Sequence, residues 1–258
     1  MRVVIEPDAE TAAGFAAQRV AGAVRERPGC ALALATGSTM VPVYRALVAL
    51  HAREPFCFAR VAAFNLDEYV GLGRDDPRGF HRFLREHLLD RVGAPPARHD
   101  APDGLAADLE AECARYEAAI TGAGGIELAL LGLGRNGHLA FNEPGASLAG
   151  RTRVELLMHE TRGDDRPRLA ITMGIATILA ARACLVVALG PHKARAAAAL
   201  IEGPVAAQLP ASALQLHPDA TVVLDAEAAA RLGNAAYYRE REAVRRELEA
   251  KRGSRNAV

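Results

Sequence analysis

Short, almost wholly apolar runs alternate along the chain with longer stretches whose apolar residues recur every three or four positions. The apolar runs are residues 2–5, 30–35, 61–65, 127–131, 185–189 and 221–224. A strand that is apolar at nearly every position is buried on both faces, as in a parallel sheet covered by helices. Helical spacing occupies residues 8–27, 43–51, 80–91, 108–121 and 194–202. This alternation predicts an α/β fold, a doubly wound, mostly parallel sheet with helices on both faces in a Rossmann-like three-layer sandwich. No internal repeat or low-complexity linker divides the chain, so residues 1–258 read as one domain. Residues 93–104 read as a Pro-rich loop, and residues from about 239 to 258 as a polar tail or terminal helix.

Composition narrows the classes of partner. Half of the 258 residues are hydrophobic, enough for a sizeable core. The 31 basic and 31 acidic residues cancel, and no basic stripe points to nucleic acid or a membrane surface. Cys30, Cys57, Cys113 and Cys184 are widely spaced and form no CxxC pair, which points to reduced thiols, not disulfides or a zinc site. The first ten residues lack a charged-then-apolar signal pattern, and the alanine-rich stretches carry charges that keep them from spanning a bilayer. The expectation is a soluble, cytoplasmic protein. Its oligomeric state stays open, and a homo-oligomer is compatible with the sequence.

Polar motifs follow four of the predicted strands: Thr36-Gly37-Ser38-Thr39, Asp67-Glu68-Tyr69, Gly132 to His138, and His192-Lys193. In a parallel sheet all four lie at the carboxyl edge, where open α/β sheets place their ligand site. TGST reads as a glycine turn opening a helix, with Ser38 or Thr39 as cap and Pro42 in the first turn. Free N–H groups there suit a phosphate, although taken alone an ordinary capped turn is the plainer reading. Asp67 and Glu68 suit a base or a cap. No second acidic cluster with ligand spacing accompanies them, which argues against a metal.

Gly132, Gly134 and Gly137 spell GxGxxG, but Asn142-Glu143-Pro144-Gly145 follow too soon for the long helix that a dinucleotide fingerprint opens. A loop is expected instead, carrying His138 five residues before Glu143. A carboxylate close to a histidine orients it as a proton shuttle near neutral pH. Lys193, just after a strand, suits a phosphate, or else is a surface lysine.

Together these segments resemble the glucosamine-6-phosphate deaminase family. TGST, FNLDEYVGL, GFHRFLREHLLD, LGLGRNGHLAFNEPG, LAITMGIATIL, LGPHKARA and LQLHPDATVVLD stand in that family's order, from about Cys30 to Asp225. The resemblance implies an amino-sugar phosphate as small-molecule partner and no metal or organic cofactor. It implies Asp67 as the base between C2 and C1 of the open-chain sugar, and His138 as the ring-opening group, supported by Glu143 and positioned by Asn136. It further implies Gly37, Ser38, Thr39, Gly137 and Lys193 around the substrate and its 6-phosphate.

The sequence departs from the family's pattern in three places. Asn136 stands where some members carry aspartate, so it can position His138 but cannot stabilise an imidazolium by charge. The stretch after Arg162 is shortened to GDDRPR. The family's phosphate-binding arginine falls in that gap, leaving Arg166 and Arg168 as candidates to replace it. Glu155 stands where effector-regulated members tend to carry a lysine, which predicts no activation by N-acetylglucosamine 6-phosphate. Other readings are a deaminase for galactosamine 6-phosphate, a 6-phosphogluconolactonase, and a non-catalytic sugar-phosphate sensor. The absence of an appended helix-turn-helix segment and the retention of Asp67, His138 and Glu143 favour the enzyme over the sensor.

Overall fold

The computed structural model describes residues 1–92 and 98–255. Seven strands form the main sheet: β1 (Arg2–Ile5), β2 (Ala31–Leu34), β3 (Ala62–Asn65), β5 (Arg98–Asp100), β6 (Ile126–Gly132), β9 (Ala183–Ala188) and β10 (Ala220–Leu224). Their order is β1-β10-β9-β6-β2-β3-β5. Every pairing in this sheet is parallel. Strand order runs outward from β2 through β3 to β5, and outward from β6 through β9 to β10 in the opposite direction. The boundary between β2 and β6 is therefore the topological switch point, where the turns leaving the sheet diverge and open a crevice.

The helices are α1 (Ala9–Glu26), α2 (Met40–Arg53), α3 (Phe80–His87), α4 (Leu109–Gly122), α5 (His159–Arg162), α6 (Ile175–Leu179), α7 (Ala194–Glu202) and α8 (Ala235–Arg255). Asp8 caps α1 by accepting from the Thr11 N–H at 2.7 Å, which satisfies one of the free donors of the first turn. The buried face of α1 is Ala12, Ala13, Ala16, Ala17, Val20, Ala21 and Val24, small enough to let the helix approach the sheet closely. On both sides of β2 and β10 every residue is buried, as the continuous apolar runs require. Tyr44, Leu47, Phe64 and Leu130 are fully buried in the same core, each contributing about 1.5–3 kcal/mol of burial.

Four expectations change. Residues 98–100 leave the predicted loop and pair with β3 as an edge strand, while residues 93–97 lie outside the described residues. Pairing across β3, not side-chain pattern, makes Arg-His-Asp a strand. Thr39 occupies the N-cap of α2 but makes no side-chain capping bond, because its own backbone is already helical. The predicted helix over 80–91 ends at His87, with a 3-10 turn over Leu89–Arg91. The terminal helix forms and starts earlier, at Ala235. It is docked on β1 by Arg2–Glu242 at 2.5 Å and Arg246–Glu6 at 2.7 Å.

A second sheet was not visible in the pattern. β4 (Asp67–Tyr69), β8 (Leu169–Thr172) and β7 (Arg153–Leu156) pair antiparallel in that order. It starts directly beyond β3 and fixes Asp67 opposite Thr172. The Met173 N–H donating to Leu66 O at 2.7 Å extends the same ladder.

Candidate active site

The turns beyond β2, β3, β6 and β9 line one cleft of about 1100 Å³. It contains Gly37, Ser38, Thr39, Asp67, Asn136, His138 and Lys193, from all four sequence motifs. Gly137 and Glu143 stand behind that wall.

Asp67 enters from the first position of β4 and is 6 % exposed. Its carboxylate has no hydrogen-bond partner among the described residues. Burial, helped by the neighbouring Glu68 charge, pushes its carboxyl well above the usual range. A carboxyl in this condition is a stronger base than an exposed one. Glu68 has the other role weighed for this pair. It accepts from the N–H groups of Phe80 at 2.9 Å and His81 at 2.8 Å, closing the start of α3. Alternation along β4 points the two side chains to opposite faces, so adjacent carboxylates do separate work.

The loop after β6 is held by its glycines and contains no helix, as expected. A Cβ on Gly134 would lie 2.5 Å from the His138 ring. Gly137 has φ +88°, and a Cβ there would meet Leu209 at 2.1 Å. Gly137 thus shapes the turn that presents His138 without itself lining the cleft. Asn136 Oδ1 accepts the His138 N–H at 3.2 Å, and its Nδ2 donates to Glu143 Oε2 at 3.0 Å. The same Glu143 oxygen lies 3.7 Å from His138 Nδ1, an ion-pair distance longer than a hydrogen bond. That Nδ1 is buried and makes no hydrogen bond among the described residues.

Glu143 is 4 % exposed and also accepts the Met158 N–H at 3.3 Å. Burial pushes its carboxyl up, but His138, Thr161 and Asn136 outweigh that and hold it below the usual range. Two buried carboxyls therefore diverge: Glu143 is kept as an anion beside the histidine, while Asp67 is poised to take a proton. Asn142 anchors the loop from beneath, donating to Leu139 O and Met173 O and accepting from Arg153 at 2.9 Å.

At the other end of the cleft, Lys193 Nζ donates to Leu133 O at 2.6 Å. Burial, helped by the Arg135 charge, lowers its ammonium to about 8. Arg166 and Arg168 do not line the cleft. The Arg166 guanidinium lies 5.4 Å from the Tyr69 ring centroid and donates to Arg78 O at 3.0 Å. Arg168 is exposed. Arg135 and Arg195 line the cleft instead, which motif spacing had not singled out. Tyr69, Phe80 and Phe141, with centroids 4.9–5.6 Å apart, form an aromatic wall beside Asp67. Met158, Glu160 and Thr161, which precede the shortened stretch, complete the lining.

A sequence model of glucosamine-6-phosphate isomerases/6-phosphogluconolactonase matches residues 7–223. The chain is 44% identical over 248 residues to a glucosamine-6-phosphate deaminase of Arthrobacter sp. (strain FB24), covering 93% of this chain and 95% of that one. It is 43% identical over 224 residues to glucosamine-6-phosphate deaminase 1 of Bacillus subtilis (strain 168), covering 83% and 93%. A solved structure of a monomeric glucosamine-6-phosphate deaminase superposes with TM-score 0.87 at 42% identity, over 90% of this chain and 100% of that one. A 6-phosphogluconolactonase from Trypanosoma brucei superposes with TM-score 0.73 at 20% identity, over 90% of this chain and 98% of that one, a likeness of fold alone.

Proposed function

The chain belongs to the glucosamine-6-phosphate isomerase/6-phosphogluconolactonase family, and from that premise we propose that it works as a glucosamine-6-phosphate deaminase. The reaction converts glucosamine 6-phosphate and water to fructose 6-phosphate and ammonium. The whole chain acts as one sugar-phosphate domain. Four unpaired cysteines support a reducing, cytoplasmic setting.

The observation that carries this reading is the pairing, in one cleft, of a buried carboxyl free to accept a proton with a histidine backed by a stabilised anion. The sugar lies with its phosphate toward Lys193 and the TGST turn, and with C1 and C2 between Asp67 and His138. His138 moves the proton of the anomeric hydroxyl to the ring oxygen, opening the ring. Glu143 stabilises the imidazolium formed on the way, and Asn136 holds the two in register. Asp67 takes the C2 proton, the electron pair left behind forms the C1–C2 double bond, and the displaced carbonyl electrons take up a proton at O1, giving the enolamine. Return of that proton to C1 gives the imine at C2. Water adds to the imine carbon and ammonia leaves, taking up a proton to become ammonium and leaving the C2 ketone. Each step is a proton transfer or a hydration that positioned side chains accelerate.

The test is ammonium release from glucosamine 6-phosphate with fructose 6-phosphate measured in parallel. Equal yields of the two products are expected. Absence of both from folded protein, with turnover of galactosamine 6-phosphate instead, would reassign the substrate.

A further inference from the structure

α5 is a single turn of four residues, His159–Arg162, beside the cleft. It is pinned at both ends. At its start the Met158 N–H donates to Glu143 Oε1 at 3.3 Å, and the Thr161 hydroxyl donates to the same carboxylate. At its end Gly163, with φ +68°, turns the chain and donates its N–H to His159 O at 2.8 Å. Three of the four side chains are engaged. His159 meets Asp164 at 2.8 Å, Thr161 bonds Glu143, and Arg162 donates to Gly163 O at 2.8 Å. The fourth, Glu160, lines the cleft and has no hydrogen-bond or ion-pair partner among the described residues.

Glu160 is exposed, so water solvates it and leaving it unpaired costs little in the empty enzyme. A carboxylate without a counter-ion, on a turn whose other side chains are held, is a ready contact for a cation. Among the described residues the other acidic side chain on the lining is Asp67. Asp67 cannot both neutralise a cation and take a proton from carbon, because a neighbouring positive charge makes a carboxylate a weaker base. Arg135, Lys193 and Arg195, the cations of the lining, repel a positive ligand group. Glucosamine 6-phosphate carries one such group, the ammonium on C2, next to the hydrogen that Asp67 removes. Glu143 joins the Glu160 turn to the reacting end of the sugar: one of its oxygens accepts from Met158, and the other lies 3.7 Å from His138 Nδ1.

We propose that Glu160 binds the C2 ammonium of the substrate and so selects an amino sugar over a sugar with a hydroxyl at C2. This rests on the functional reading above and adds a specificity residue to it. A hydroxyl gives a carboxylate an acceptor-type contact of one charge only, whereas an ammonium pairs charge with charge.

The experiment compares E160Q and E160D with the parent chain. The probes are two inert open-chain ligands that differ only at C2, 2-amino-2-deoxyglucitol 6-phosphate and glucitol 6-phosphate. Their Kd values are read by calorimetry at constant ionic strength, beside KM for glucosamine 6-phosphate. E160Q is expected to raise Kd for the amino ligand and KM by about tenfold, the loss of one charge-assisted contact, and to leave Kd for glucitol 6-phosphate within twofold of the parent. E160D keeps the charge and should retain part of the preference. A purely structural role for Glu160 would weaken both ligands alike, and that result, or no change in either, overturns the proposal. So does weaker inhibition of E160Q by ammonium chloride with unchanged affinity for the amino ligand, which would assign the carboxylate to the released ammonium ion. If the parent chain binds the amino ligand through Glu160 yet releases no ammonium, the deaminase reading fails and the amine contact stands. If it releases ammonium and E160Q leaves the preference intact, the deaminase reading stands and the amine contact falls.

Discussion

Asn136 bridges the two residues it stands between, accepting the His138 N–H at 3.2 Å and donating to Glu143 at 3.0 Å. One neutral side chain therefore sets the spacing of the histidine and its carboxylate. Replacing it by aspartate would place a second carboxylate within reach of Glu143. Like charges at that distance raise carboxyl pKa values. The N136D variant is expected to move the acid limb of the kcat/KM profile to higher pH. N136A should lower kcat by about 10²-fold or more, in the range of a mispositioned proton-transfer group, without moving that limb upward. Superimposable profiles for N136D and the parent chain would show that Asn136 does not control Glu143.

Asp67→Asn tests chemistry and stability with opposite signs. The base is lost, so deamination should fall by about 10²–10⁴-fold or more. Stability should rise. The folded-state carboxyl is held above its unfolded value, so above that value the native state bears an unfavourable buried charge that the unfolded chain does not. Removing the charge should raise Tm at pH 8 by about 2–4 °C for each kcal/mol relieved. The gain should shrink as pH falls toward the ordinary aspartate value. A lower Tm at pH 8 would contradict the account of Asp67 as an uncompensated buried carboxyl.

Lys193 gives the cleft a basic limb. Its ammonium titrates near 8 in the free enzyme, so kcat/KM for the phosphorylated sugar should fall as pH rises through that value. K193A should raise KM by about 10–100-fold, the loss expected of one charged contact, and remove that part of the basic limb. A variant that keeps the parent's basic limb would assign it to another group.

His99 supplies an acid-sensitive point behind the site. Its ring stacks on His81 at 4.2 Å between centroids and bonds Asn65 Oδ1 at 2.9 Å. Burial, helped by the His81 charge, holds it down to about 3. The unfolded chain takes up that proton near 6.5 and the native chain does not, so native stability is full above about 6.5 and falls as pH drops toward 3. Asp67 contributes a slope of opposite sign, so the comparison is between variant and parent. The drop in Tm between pH 7.5 and pH 5 should be smaller in H99Q than in the parent chain. Equal drops would mean that His99 titrates normally when folded.

Glu155 already neutralises Arg153 at 2.5 Å, and Arg153 in turn holds Asn142. A phosphate approaching this side of β7 meets a carboxylate, not a free cation. Titration with N-acetylglucosamine 6-phosphate is therefore expected to leave the velocity at low substrate unchanged. A saturable rise in velocity would overturn this.

The sequence by itself determined the main sheet and the position of the site along it. Six continuous apolar runs sit within a residue or two of β1, β2, β3, β6, β9 and β10, because a strand buried on both faces must be apolar throughout. The carboxyl-edge rule then brought Gly37, Asp67, His138 and Lys193 to one cleft before any contact was known. Short polar strands carry no such signature. Arg-His-Asp in β5 and Arg-Val-Glu-Leu in β7 are strands only because β3 and β8 offer them partners. Tertiary structure alone also divided Asp67 from Glu68, since β4 turns one into the cleft and the other toward the α3 N-terminus. It took Arg166 away to Tyr69 and put Arg135 and Arg195 on the lining of the cleft, because long, flexible side chains go where charge and space leave room, and spacing along the chain does not record that.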